Sequence, residues 1–444
     1  MPDDPADAER RAGADAGAAP EAGQPQDEPR RARWGTLWAH ADFMKFWTGE
    51  TISLFGSQVT SLALPLTAII VLRATPGQLG LIRFLQNVPF LLLALLVGAW
   101  VDRRRKRPIM IGSNAARGLL IGLVPVLAVA GALHMPLLYA IAFAVGIATV
   151  FFDVCWMSYV PALVPRQLLV EANSKVSTSY AAADVAGPGI GGVLVQLIGA
   201  PKAMIADSLS FVFSIASLLA IRTEEHRPDI TEKRHLRAEV GEGLRLVLGN
   251  RYVRATTAQG GFWNFFFIMS DTIFLLYAIR QLHFTPGLVG AILGVGAVGG
   301  VVGSALASSL TRRIRYGRAL VTATGFGTVP AFLLPAAAGP KALMATIFMV
   351  AFFLIRFGLA TANVLMITLR QTVTPARLLG RMTAASRTIL YTLGPLGGIV
   401  GGALGATIGL RATLLVAAVG FVLTLIPILV SPIPSLPELP PAAA

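Results

Sequence analysis

Long apolar runs make up most of the 444 residues, and the ionisable side chains inside those runs are the ones with chemistry to offer. They are the acids Glu50, Asp153, Asp184, Asp207 and Asp271 and the bases Arg83, Arg117, Arg356 and Arg387. A charge at the centre of a membrane span costs about 2.5 to 3.5 kcal/mol on insertion scales, so such a residue is a functional candidate by default. Carboxylates at mid-span can exchange protons as their surroundings change. Asp271 and Arg356 fall at similar depth in two different runs and are expected to pair, because two lone charges cost more. Asp184 stands one turn before Pro188, also near mid-span. Glu50 and Asp153 lie toward the end of their runs nearer the chain termini. There Glu50 has Lys45 or interfacial water within reach, and Asp153 has Arg117 or the basic loop after the second run. Asp207 reads as structural, and Arg83, at the start of its run, is expected to snorkel to water.

Other chemistries fall away. A single cysteine, Cys155, excludes an internal disulfide framework, a Cys-based zinc site and an iron–sulfur cluster. The five histidines supply no metal-ligand pair. Gly294, Gly296 and Gly299 fit a dinucleotide-binding fingerprint, but they sit inside an apolar run with no strand before them. No phosphate loop of the G-x-x-x-x-G-K-[ST] type occurs, so no ATP-driven domain is expected. The expectation is therefore no cofactor, no metal and no enzyme. A membrane enzyme acting on lipid, the rival from another class, would need convergent polar groups at headgroup depth.

The elements that must position these charges follow from composition. Charged side chains make up 14% of the chain, against about 25% in a soluble domain. Spans of about 20 apolar residues are expected near 43–72, 77–101, 108–131, 136–159, 172–198 and 202–221. A second six are expected near 255–280, 287–310, 319–336, 342–368, 378–407 and 411–431. This is an all-α polytopic membrane protein of twelve transmembrane helices. Residues 1–40 read as a disordered tail without the apolar core of a cleavable signal. Residues 41–221 form a first six-helix bundle, 222–254 a charged linker, 255–431 a second bundle and 432–444 a short tail. In the linker, Val240, Leu244, Val247 and Leu248 recur at helical spacing opposite Glu239, Glu242 and Arg245, the pattern of an amphipathic surface helix. Bases crowd the connections on the side of the termini, while the opposite connections hold only Arg73, Lys202, Arg280, Lys341 and Arg411. Positive residues stay cytoplasmic, so both termini are expected inside a bacterial cytoplasmic membrane. That placement also turns the net charge of +14 toward the bilayer rather than toward nucleic acid.

One offset organises the whole chain. Thr75-Pro76-Gly77 and Gly80 match Thr285-Pro286-Gly287 and Gly290, 210 residues on. Pro165 with Leu168-Leu169 matches Pro375 with Leu378-Leu379, and Gly187, Gly191, Gly192 and Gly199 match Gly397, Gly401, Gly402 and Gly409 at the same offset. The second half is a parallel copy of the first, which implies two bundles about a pseudo-two-fold axis along the membrane normal.

Gly98, Asp102 and the bases Arg103, Arg104, Arg105, Lys106 and Arg107 stand between the second and third spans. This arrangement resembles the loop motif of the major facilitator superfamily. The resemblance implies that Asp102 meets the N-terminal end of the eleventh helix, near 376–381, as an inner gate. The second half departs from the motif, with Ser308 and Arg312 at the equivalent positions. Gly187-Pro188 with Gly191-Gly192 resembles the motif that the superfamily associates with antiporting exporters, and it is expected to pack against Gly299, Gly300 and Gly303 of the eighth helix. The runs 169–174 and 207–211 look like the branch that contains macrolide efflux pumps and the enterobactin exporter. In that superfamily the first, fourth, seventh and tenth helices line the cavity, which here carry Glu50, Asp153, Asp271 and Arg356. The resemblance, over about residues 36–430, implies a monomeric drug:proton antiporter. Its substrate would be a hydrophobic or amphiphilic small molecule, and its aromatic side chains suit amphiphilic or cationic cargo. A dedicated exporter of one natural product or siderophore is the alternative, and Na⁺ competes with H⁺ as coupling ion.

Overall fold

The computed structural model describes residues 37–101, 103–223, 225 and 236–441, apart from the side chains at 95, 99, 157, 236–240 and 376. The first half is built from α1 (Ala41–Ile70), α2 (Pro76–Val101), α3 (Lys106–Val129), α4 (Met135–Leu163), α5 (Leu169–Ile198) and α6 (Ala200–Ala220). The second half has α7 (Arg251–Leu276), α8 (Pro286–Arg313), α9 (Tyr316–Phe326), α10 (Lys341–Thr372), α11 (Leu379–Thr407) and α12 (Leu410–Leu423). A linker helix, Leu236–Gly249, precedes α7. Eleven of the described segments are long and apolar enough to cross a membrane. The other, α2, is a 26-residue helix at the place of the second expected span.

Two spans expected as continuous helices are broken. In the ninth, α9 stops at Phe326 and short turns at Val329–Phe332 and Leu333–Ala336 carry the chain on. A Cβ added to Gly358 of α10 would lie 2.0 Å from the Gly327 nitrogen, so α10 presses on the backbone where α9 ends. The twelfth stops at Leu423 and resumes at Ile426–Leu429. Pro427 lacks the N–H that would have continued the ladder.

Glycine stripes set how the halves meet, because small residues let membrane helices approach closely. At the end of the molecule away from the termini, α5 crosses α8 and α11 crosses α2. A Cβ on Gly192 would lie 2.6 Å from the Pro286 carbonyl oxygen, and one on Gly402 2.7 Å from that of Pro76. The two crossings use residues related by the 210-residue offset, so the motifs that repeat in the sequence dock against each other. The offset also returns at the hairpins after α5 and α11, where Gly199 and Gly409 take φ values of +86° and +88°, a conformation open to glycine.

Between these crossings, Arg280 donates to the Ile69 carbonyl oxygen at 3.3 Å. One apolar cluster there draws on both halves, including Leu64, Leu66, Ile69, Ile273, Phe274 and Leu276. At the terminal end the clusters stay within one half each: Leu37 to Ile221 in the first, Ala255 to Ile433 in the second. The halves are therefore joined at the end away from the termini.

Candidate functional site

A cavity of about 180 Å³ lies between the halves and is lined by Arg83, Asp184, Asp271 and Arg356. The Arg83 guanidinium donates to Asp271 Oδ2 at 2.8 Å, and Arg356 Nη1 stands 3.8 Å from Asp184 Oδ2. Each half thus contributes one arginine and one aspartate, and each pair crosses from one half to the other. The expected Asp271–Arg356 pair does not form. Equal depth in the membrane does not make neighbours. The direction in which each helix presents its side chain decides the partner, and α7 offers Asp271 to α2. Arg356 instead reaches α5, with its guanidinium carbon 5.3 Å from the centre of the Phe267 ring. Nor does Arg83 snorkel to water: it ends in the cavity, and its Nε is buried without a hydrogen-bond partner among the described residues. Gln58 and Ser61 of α1 line the same space.

A second charged cluster lies inside the first half. Arg117 is sandwiched between the rings of Phe152 and Phe211, at 4.3 and 4.5 Å, a favourable placement for a desolvated guanidinium. It donates to Asn114; Glu50, Asp153, Asp207 and Tyr180 surround it. Glu50 and Arg117 are each 7% exposed and Asp207 1%. Glu50 Oε2, Arg117 Nε and Asp207 Oδ2 have no hydrogen-bond partner among the described residues. Lys45 is taken by Asp42 at 2.8 Å and by the Ala220 carbonyl oxygen at 2.9 Å, so it does not serve Glu50. Asp153 and Arg117 face each other without a direct ion pair among the described residues, because the guanidinium is held by Asn114 and the two rings. Asp207 accepts from Ser210 at 3.2 Å and Ser57 at 3.4 Å, which ties α6 to α1.

At the terminal end Asp102 lies outside the described residues, as do linker residues 226–235 and the tail up to residue 36. Of the flanking motif, Arg103, Arg104 and Arg105 are exposed, and Arg104 stacks 4.5 Å over Trp100. The backbone N–H groups of Lys106 and Arg107, the first turn of α3, donate to Glu225 at 2.6 and 3.1 Å. A carboxylate there satisfies helix N-terminal donors. Near the expected gate partner, Arg381 pairs with Glu242 of the linker helix. Val247 of that helix is buried with Met382 and Ala385, while Leu244 and Leu248 remain exposed.

The glycine motif of α5 packs partly elsewhere than expected. Gly187 meets Gln58 and Gly191 meets Val59, both of α1, while Gly192 meets Gly287 and Gly290 of α8. Gly299 and Gly303 lie instead against the Phe353 and Phe357 carbonyls of α10. The reason is that α8 crosses α5 only near its own start and then runs along α10.

A sequence model of the Major Facilitator Superfamily matches residues 46–398. The chain belongs to this superfamily. It is a multi-pass membrane transporter, in keeping with the paired bundles and the cavity between them. Similar curated proteins include the multidrug efflux pump Tap of Mycolicibacterium fortuitum, 27% identical over 74% of this chain and 81% of that one. Another is the enterobactin exporter EntS of Citrobacter koseri, 24% identical over 87% of this chain and 91% of that one. Among solved structures, a bacterial homologue of the iron transporter ferroportin in its inward-facing state aligns with a TM-score of 0.69. It is 17% identical and covers 87% of this chain and 98% of that one, which shows a shared fold.

Sequence reasoning found the intramembrane acids and set Asp153 beside Arg117, but it did not find the partners of Asp184 and Asp271, and it placed Arg83 wrongly. It also passed over Gln58, whose polarity within an apolar run was the available signal.

Proposed function

We propose that this transporter exports hydrophobic or amphiphilic small molecules from the bacterial cytoplasm in exchange for protons, by alternating access. The observation that carries the reading is the pair of ion pairs, Arg83–Asp271 and Arg356–Asp184, that tie the halves together at mid-span. When the halves part at the end where they now meet, the aspartates leave their arginines and can take a proton from that side as cargo departs. When the halves meet again, each arginine re-forms its pair and displaces the proton toward the open terminal end, so inward proton movement accompanies the return step. The bias of positive charge supports a cytoplasmic terminal end, and on that reading the present arrangement is the cargo-accepting one. Glu50 and Asp153 are the second pair of candidate proton sites, and Asp102 the candidate gate that closes the terminal end in the other state. The names of the relatives, a multidrug pump and a siderophore exporter, support export over import. A dedicated exporter is the second reading, favoured by the longer alignment with the enterobactin exporter.

The test is accumulation of ethidium and erythromycin by an efflux-deficient bacterial host expressing the protein as a monomer in its inner membrane. Expressing cells are expected to retain less of at least one compound, and collapse of both components of the proton-motive force is expected to abolish the difference. Replacing external sodium by choline should leave it intact. A difference that survives the collapse would refute proton coupling.

A further inference from the structure

The second half holds another cavity, of about 350 Å³, walled by α7, α9, α10 and α11, within the range of about 300 to 1,000 Å³ usual for small-molecule sites. Its polar lining includes Gln259, Asn264, Asn363 and Arg370. Gln259 is only 4% exposed, yet its amide makes no hydrogen bond among the described residues. Its amide therefore opens onto the cavity, a space large enough to hold a partner. Arg370 donates through Nε to the Met366 carbonyl oxygen at 3.2 Å. Its remaining N–H groups have no carboxylate within ion-pair distance among the described residues. Asn264 spends its Nδ2 on the Leu390 carbonyl oxygen at 2.8 Å, which leaves its Oδ1.

The apolar lining is aromatic. Trp263 gives its N–H to the Gly327 carbonyl oxygen at 3.1 Å and stacks on Phe267 at 4.8 Å, so it offers the cavity apolar surface rather than a donor. Tyr391 is 48% exposed and leans 4.9 Å from Phe90 of α2 in the other half. The charge around the cavity has one sign. From Arg251 onward the only acids are Asp271, already paired with Arg83, and Glu438 beyond α12.

We propose that this cavity is the cargo site for an aromatic organic anion, whose carboxylate is neutralised by Arg370 and whose remaining acceptors and donors meet Gln259 and Asn363. The inference rests on the export reading and names the class of molecule carried. Fluorescein and rhodamine 6G serve as probes, since they share a fused three-ring core and carry opposite charge. Their binding to the full-length protein in lipid nanodiscs is followed by fluorescence polarisation. Saturable binding of fluorescein is expected. Arg370→Gln should weaken it at least tenfold, as loss of a charge-assisted hydrogen bond implies, and Arg370→Lys should recover much of it. Gln259→Leu should weaken it several-fold without touching the charge, which keeps the proposal testable should Arg370→Gln fail to fold. Rhodamine 6G should be indifferent to Arg370→Gln. Equal fluorescein affinity in parent and Arg370→Gln, or binding of rhodamine 6G alone, would overturn the assignment. Binding and export fail separately: cells that export rhodamine 6G while fluorescein does not bind would retain the export reading and lose this one. Fluorescein binding with no dye export would do the reverse.

Discussion

Removing the Arg83–Asp271 tie should shift the balance between the two access states. Asp271→Asn keeps the size of the side chain and deletes its charge. The pair has a short contact of 2.8 Å, with side chains 20% and 26% exposed. It therefore falls between exposed pairs, worth about 0 to 1 kcal/mol, and fully buried ones, whose breakage costs about 3 to 5 kcal/mol. A working figure is about 1 to 2 kcal/mol, or roughly 5- to 30-fold in an equilibrium constant. Because the tie bridges the halves where they meet, its loss should act on that state alone and move the population toward closure at the terminal end. Spin labels report this directly. With Cys155 replaced by alanine, cysteines at the exposed positions Gln167 and Gln371 place one label on each half at the terminal end. Asp271→Asn should transfer population from the long to the short distance by about that factor. Exchanging the two charges, Arg83→Asp with Asp271→Arg, should restore the parent distribution. A distribution unchanged by Asp271→Asn, in protein that reaches the membrane normally, would refute the tie.

Two further outcomes follow from packing. Arg117→Gln would leave Glu50, Asp153 and Asp207 without their shared cation, and it should destabilise the first half by about 3 to 5 kcal/mol. This is readable as a lower melting temperature in detergent that Glu50→Gln partly recovers, and a melting temperature within a degree of the parent would contradict it. Gly192→Ala and Gly402→Ala each press a methyl group onto a carbonyl oxygen of a helix in the other half, at 2.6 and 2.7 Å, for about 1 to 3 kcal/mol of overpacking. Both should shift the same spin-label distances in the same direction and to a similar extent, and opposite shifts would contradict the equivalence of the two crossings.

Much of the architecture was written in local patterns. A span needs a run of apolar residues and nothing else, so hydropathy located the helices. The 210-residue offset was equally local, a matching of short motifs. The paired crossings of Gly192 with Pro286 and of Gly402 with Pro76 use residues related by that offset, but the spacing did not name them: the motif at Gly187 to Gly192 was expected against Gly299, Gly300 and Gly303. The candidate acids were legible locally as well: a carboxylate in an apolar run is anomalous whatever surrounds it.

Partners were not legible. Arg83 and Asp271 are 188 residues apart, and which of two mid-span arginines an aspartate meets depends on the rotation of each helix about its axis and on the crossing of the halves. Neither quantity leaves a trace in spacing. Arg83 looked close enough to a span end to reach water, and only the docking of α2 against the second half made that end an interior. Arg370 lies beyond the tenth expected span, 342–368, but α10 continues to Thr372 and carries it into a cavity wall with Gln259. The sequence determined which charges the membrane must accommodate, because desolvation acts on each residue singly. The tertiary structure alone decided how they are paired, because a charge is compensated only by what the packing of distant segments brings within a few ångströms.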